Sequence, residues 1–104
     1  MTYNVTNFEV GFQTSNRDHK SNIQLFNDTS TVLQLDLKSY NYIADGSYTE
    51  QIGYVAEEVF EIDPKLTTRN DGTPVGIEYF TLLAYTANEL KKLRQEFDEY
   101  KSSH

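Results

Sequence analysis

Seven residues near the C-terminus, Tyr79, Leu83, Thr86, Leu90, Leu93, Phe97 and Tyr100, stand 4, 3, 4, 3, 4 and 3 positions apart. This is the heptad period, in which one stripe of an α-helix meets a packing partner at every second turn. A chain carrying such a stripe must bury it on its own core or on another helix. A second stripe, Phe80, Ala84 and Ala87, widens the apolar face in the first half, so that half is expected to pack on the chain's own domain. From Glu89 onward the strip narrows and is flanked by Lys91, Lys92, Arg94, Glu96, Asp98 and Glu99, the profile of a coiled-coil strand. The heptad helix is placed at about residues 79–100.

The remainder has to supply a core. The chain has 104 residues, enough for one domain. At this length a monomer buries only about 60–68% of its unfolded surface, so association would help it. Alternation of Tyr3, Val5, Phe8, Val10 and Phe12 predicts a strand or extended arm at the N-terminus, and residues 13–22, without an apolar side chain, form an exposed loop. Leu35, Leu37, Tyr40 and Tyr42 predict a strand ending at Asp45-Gly46. That dipeptide and Asp71-Gly72 are hairpin signals, because glycine accepts the positive φ such turns need. Residues 51–55 read as a strand entering a short helix over 56–62, stopped by Asp63-Pro64. Val55, Val59 and Ile62 line its inner face and Glu57, Glu58 and Glu61 its solvated one. Residues 75–79 alternate as a strand leading into the last helix. The fold class is α+β: short strands or hairpins and a short helix, followed by a long C-terminal helix.

Composition removes several functions. Without cysteine, and with only His19 and His104 as histidines, there is no disulfide, iron–sulfur or thiolate-zinc chemistry and no histidine cluster, so no metal is expected. Sixteen acidic against nine basic residues give a net charge of -7, which argues against nucleic acid as a partner. No apolar run approaches the eighteen or so residues of a membrane span. The five glycines stand apart at 11, 46, 53, 72 and 76, leaving no phosphate loop and no expected cofactor. One pair stands out in the polar loop, Ser15 with Lys20 five residues on, since a neutral lysine can take a serine's proton. The plainer reading of that loop is a solvated connection in which Ser15 or Asp18 caps the next turn.

The run Ser15-Asn16-Arg17-Asp18-His19-Lys20-Ser21-Asn22-Ile23 resembles the opening of the C-terminal intramolecular chaperone domain of phage endosialidases and tail spikes. Later segments agree in order. Ser39-Tyr40-Asn41-Tyr42 sits where that family has an aromatic strand, and Ile52-Gly53-Tyr54-Val55-Ala56-Glu57-Glu58-Val59 is similar to its best-known signature, with Glu57 in place of glutamine. Asp63-Pro64-Lys65-Leu66 and Gly76-Ile77-Glu78-Tyr79 follow, leading into a leucine-rich helix with Glu89-Leu90-Lys91. The resemblance spans about residues 15–100.

It implies a homotrimer at the C-terminus of a fibrous protein, one that brings three chains into register and then cuts itself off. The heptad seam would form the trimer's coiled-coil-like core, and the partners would be two further copies and the upstream fibre or spike polypeptide, in the virion or in the host cytoplasm during phage assembly. Residues 15–104 would be the chaperone domain. Residues 1–14 would be the stub of a fibre or an arm around a neighbour. Ser15 would be the nucleophile and Lys20 its base, with the cut at Thr14-Ser15 or Ser15-Asn16. Lysine acts as a base only where burial or a nearby cation lowers its pKa, which assembly could provide. The sequence departs from the family pattern at Asn16, where an aspartate is usual. An uncut trimer serving as a permanent structural cap is the alternative expectation.

Overall fold

The structure, a computed structural model, describes residues 16–44 and 49–103. The arm over residues 2–12, Thr14, Ser15 and the Asp45-Gly46 turn lie outside the described residues. The architecture is α+β, with two short antiparallel sheets and a long C-terminal helix.

Strands β1 (Lys38–Tyr40) and β2 (Gln51–Gly53) pair antiparallel, with Lys38 opposite Gly53 and Tyr40 opposite Gln51. Helix α1 (Ala56–Ile62) follows, entered through extended Val55 and left through extended Asp63, because Pro64 keeps its predecessor out of the helical region. Pro64, which has no N–H, then opens a 3-10 turn, Pro64–Leu66, whose first N–H, that of Lys65, donates to Asp63 Oδ1 at 3.1 Å. Strands β3 (Thr67–Asn70) and β4 (Thr73–Ile77) make a hairpin around Asp71-Gly72, with φ of 52° and 80°, the two positive values of a type I′ turn. A bulge leaves Val75 without a partner between the pairs Thr68–Gly76 and Arg69–Pro74. Gly76 passes so close to Thr68 that a Cβ would lie 2.7 Å from its hydroxyl. Helix α2 (Tyr79–Ser103) completes the chain.

Three sequence expectations are corrected. The strand read through Leu35 and Leu37 is shorter, Lys38–Tyr40 alone, and is preceded by a 3-10 turn, Ser30–Gln34. A 3-10 turn brings every third residue to one side, and Val32 and Leu35 use that spacing to reach the core. The strand placed at 75–79 runs from Thr73 to Ile77, with Tyr79 starting α2, and its partner β3 has no apolar alternation by which to find it. Finally, α2 docks on its own domain through Leu82, Tyr85, Asn88, Glu89 and Lys92, while Phe80, Ala84 and Ala87 face solvent.

The core is small. Val59, Leu66 and Tyr85 are its buried apolar residues among those described, with Val32, Leu35, Tyr54, Ile77 and Leu82 packed around them. Against these, sixteen large apolar side chains are exposed. The radius of gyration is 18.2 Å, where a compact chain of this size would have about 13 Å, because much of α2 projects beyond the core.

Candidate functional site

The polar loop that carries Lys20 is exposed over residues 16–22, as expected, and folds locally into a 3-10 turn, Arg17–His19. Its cap is Asn16, and Asp18 lies within the turn: Asn16 Oδ1 accepts from the Asp18 N–H at 3.4 Å, and the Asn16 carbonyl accepts from the His19 N–H at 3.0 Å. The Lys20 N–H closes the turn on the Arg17 carbonyl at 3.1 Å. A 3-10 turn advances about 2 Å per residue against about 3.3 Å in a strand, so Lys20 stays nearer to Asn16 than an extended loop would hold it. An amide oxygen caps as well as a carboxylate does, so asparagine here keeps the turn and gives up the charge.

Lys20 is exposed and stands at the rim of an open groove of about 750 Å3 shared with Phe26, Thr29, Phe80, Ala84 and Asn88. Phe26 leans on the buried Tyr85 ring, centroids 5.7 Å apart. The Tyr85 hydroxyl makes no hydrogen bond among the described residues. Its burial first, then the nearby Asp63 carboxylate, push its pKa above 10.0.

What anchors α2 beside this groove is a polar clamp that sequence reasoning missed. Thr29, buried just before the 3-10 turn at Ser30–Gln34, leaves that turn uncapped and donates its hydroxyl to Glu89 Oε2 at 2.6 Å. The Asn88 amide donates to Thr29 Oγ1 at 3.0 Å and to Asn27 Oδ1 at 3.2 Å, and Lys92 Nζ reaches the Asn27 carbonyl at 3.2 Å and Glu89 at 2.7 Å. The Lys92 ammonium, followed by the Thr29 hydroxyl, holds the Glu89 carboxyl below its ordinary pKa. No periodicity announces such a clamp. Its only trace in sequence is a polar stripe at 88, 89 and 92, which reads as solvated.

The heptad seam runs along α2 beside this clamp, with Leu90 and Leu93 bordering the groove that Glu89 and Lys92 also line. All seven of its residues, Tyr79, Leu83, Thr86, Leu90, Leu93, Phe97 and Tyr100, are exposed in the single chain, Leu90 at 66% and Leu93 at 60%. Exposed apolar surface of this extent marks an interaction site in a folded domain. The segment Ile52 to Val59, by contrast, builds structure. Gly53 is buried beneath the hydroxyls of Tyr40 and Tyr79, which a Cβ would meet at 3.2 and 3.4 Å, and Val59 is core, while Glu57, Glu58 and Glu61 face water as expected. Glu58 lies 3.4 Å from Lys38. The Tyr40 hydroxyl, its pKa raised first by its hydrogen bond with Tyr42, sits in a tyrosine-lined cleft with Tyr54 and Tyr79. Among the described residues no helix is long and apolar enough to cross a membrane, and no group of acidic and histidine side chains could hold a metal ion.

These features define a small α+β unit with a minimal core of its own and a long helix whose apolar side is open. The chain belongs to the family of the chaperone of endosialidase, whose model it matches over residues 15–68, from Ser15 through Lys20 and the Gly53 segment into β3. No curated protein and no solved structure matches the chain.

Proposed function

We propose that this protein is the trimerising folding chaperone of a phage or viral tail spike or fibre, and that it releases itself by cleavage beside Ser15. The observation that carries the reading is the open heptad seam on a helix whose other side is already docked. Register is the slow step in folding a β-rich fibre, because non-local pairing is slow and unpaired edges aggregate. Three helices joined through Tyr79, Leu83, Thr86, Leu90, Leu93, Phe97 and Tyr100 would hold three upstream chains together and lower the loop-closure cost of every pairing between them. Residues 15–104 are the chaperone unit on this reading, and residues 1–14 are the upstream stub or arm. The client is an endosialidase-like tail polypeptide, and the setting is virion assembly.

Cleavage would use Ser15 as nucleophile and Lys20 as base. The Ser15 Oγ adds to the Thr14 carbonyl carbon while Lys20 Nζ takes its proton. The proton passes to the departing Ser15 nitrogen, the C–N bond breaks, and water hydrolyses the resulting ester. Cleavage between Ser15 and Asn16 would instead need water to attack the Ser15 carbonyl with Lys20 as its base, because attack by Ser15 Oγ on its own carbonyl closes a strained four-membered ring. An exposed ammonium is no base at neutral pH, so closure of the groove at Lys20 on assembly would make cutting conditional on a formed trimer.

Native mass spectrometry of the purified chain tests both halves, since it reports stoichiometry and covalent integrity together. A trimer split beside Ser15, and left whole by Ser15→Ala or Lys20→Ala, is the expected result. Self-cleavage that survives either substitution refutes the dyad. A whole trimer that Asn16→Asp converts to a split one assigns the missing step to the lost carboxylate, a whole trimer in both refutes self-release, and a monomer refutes the chaperone reading.

A further inference from the structure

The two carboxylates in the first turn of α1 have different fates. Glu58 is taken up by Lys38, 3.4 Å away. Glu57, beside it, is exposed and makes no hydrogen bond or ion pair among the described residues. It lines the open tyrosine cleft, a space of about 520 Å3 shared with Tyr40, Tyr42, Tyr54 and Tyr79, with strand β4 as a further wall. Among the described residues that line this cleft, Glu57 is the one charged side chain, and none is basic.

The tyrosines are held as a set. Gly53 in β2 has no Cβ to push away the Tyr40 and Tyr79 hydroxyls, so both phenols come in over the strand. The Tyr42 hydroxyl lies 3.5 Å from that of Tyr40, at the outer limit of a hydrogen bond, and the two rings meet edge to face at 5.4 Å. Phenol oxygens keep acceptor capacity in such contacts, and a carboxylate only accepts. The group that completes this set therefore brings N–H donors, carries positive charge and can lie on a ring face. A guanidinium does all three, forking to carboxylate and hydroxyl oxygens while its plane stacks on an aromatic ring. A phosphate or carboxylate would meet Glu57 with no basic lining residue to offset it, on a chain of net charge -7.

We infer that this cleft binds an arginine side chain of another polypeptide, with the guanidinium against Glu57 and the phenol oxygens and its plane on a tyrosine ring. Tight sites for small ligands enclose most of the ligand's surface, which an open cleft does not do. The rest of the binding energy has to come from the chain that carries the arginine, lying along β4, where the bulged Val75 is exposed. Tyr79 also opens the heptad seam, but the inference does not rest on the association reading.

The test is a titration of the whole chain with a blocked threonine peptide bearing one central arginine, followed by the NMR signals of the tyrosine rings. Saturable shifts at Tyr40, Tyr42, Tyr54 and Tyr79 are expected in the millimolar range, with affinity lower by about fivefold in Glu57→Gln and about threefold in Tyr42→Leu. Both side chains are exposed, so both variants should keep the core, and unmoved methyl signals of Val59 and Leu66 verify that they do. The same peptide with citrulline, similar in shape but neutral, should bind about tenfold more weakly, and N-acetylarginine amide alone about threefold more weakly or less well still. Equal binding of the citrulline peptide, or undiminished affinity in Glu57→Gln, overturns the cationic ligand and points to a neutral one such as a sugar. N-acetylarginine amide binding as tightly as the peptide overturns the polypeptide partner, and the absence of any saturable shift overturns the site.

Discussion

The two sides of α2 follow opposite rules. The side that touches its own domain is held largely by polar groups, with Asn88, Glu89 and Lys92 bonded to Asn27 and Thr29 around the buried aromatic Tyr85. The side that carries the leucines faces water. In a self-sufficient domain an amphipathic helix turns its apolar stripe inward, because burial of that area is its main stabilisation. Here the inward stripe gains directional hydrogen bonds of modest net value, and the larger apolar area is left over. The difference teaches that the single chain is a half-finished burial state. Its clamp sets the angle at which α2 leaves the domain, and its seam supplies the driving force for whatever closes over it.

Breaking the open side should have the largest effect. Leu90→Asp places one carboxylate per chain in the middle of the seam, where association would desolvate three of them in one layer. Trimer affinity should fall by about a thousandfold or more, with the chain monomeric in native mass spectra. The isolated chain should keep its helical circular dichroism, since Leu90 is exposed in it. Helix loss on this substitution would show that the seam serves the chain's own fold and would collapse the distinction between the two sides.

Next in size is the floor on which the docked side rests. Leu66, fully buried between Val59 and Tyr85, contributes its side chain to a core with few others, and Leu66→Ala should cost about 2–5 kcal/mol in urea unfolding of the monomer. In so small a core that is most of the stability a chain of this length has. A loss under about 1 kcal/mol would mean that the interior has collapsed around the truncation and is not close-packed.

How much of this was legible depended on whether a side chain's job repeats. The heptad stripe of α2, the α1 helix with its Asp63-Pro64 stop and the Asp71-Gly72 turn were all readable, because each obeys a local rule of period or dihedral angle. The orientation of α2 was not. Phe80, Ala84 and Ala87 are the more apolar flank and yet face away from the core, since what decides docking is a set of bonds between residues about 60 positions apart. Strand β3, made of Thr67, Thr68, Arg69 and Asn70, has no apolar alternation because its side chains are polar, Thr67 and Arg69 being bonded to the Pro64 carbonyl while the backbone pairs with β4. Lys20 was found by motif, and the cap at Asn16 was assigned to its neighbours, because Ser, Asn and Asp cap almost equally well and only geometry chooses among them.

A smaller effect should follow from loosening the clamp without touching the seam. Thr29→Ala removes the hydroxyl that donates to Glu89 and accepts from Asn88, and both of those groups can turn to water. The expected loss is about 1 kcal/mol of monomer stability. Hydrogen exchange should rise at residues 27–34 while trimer stoichiometry is kept. If association is lost as well, the angle set by the clamp is a condition for the seam to meet its partner, and the two sides are coupled.

The smallest expected effect separates the two sides by pH. Glu89 has a folded pKa below 4.5, first through its hydrogen bond to Lys92 and then through that to Thr29. For a depressed carboxyl the stabilisation is complete above the unfolded value and is lost as the pH falls through the folded one. Acidification below about pH 4.5 should therefore loosen the docked side first, seen as faster exchange at residues 27–34. The seam's leucines and Phe97 carry no group that titrates in this range, so sedimentation at each pH should show association persisting after exchange at residues 27–34 has risen. Glu89→Gln should flatten the acid limb of the exchange profile and leave the rest unchanged. An unaltered limb would place the pH response in another carboxyl and would leave the Thr29, Glu89 and Lys92 contacts as a passive surface feature.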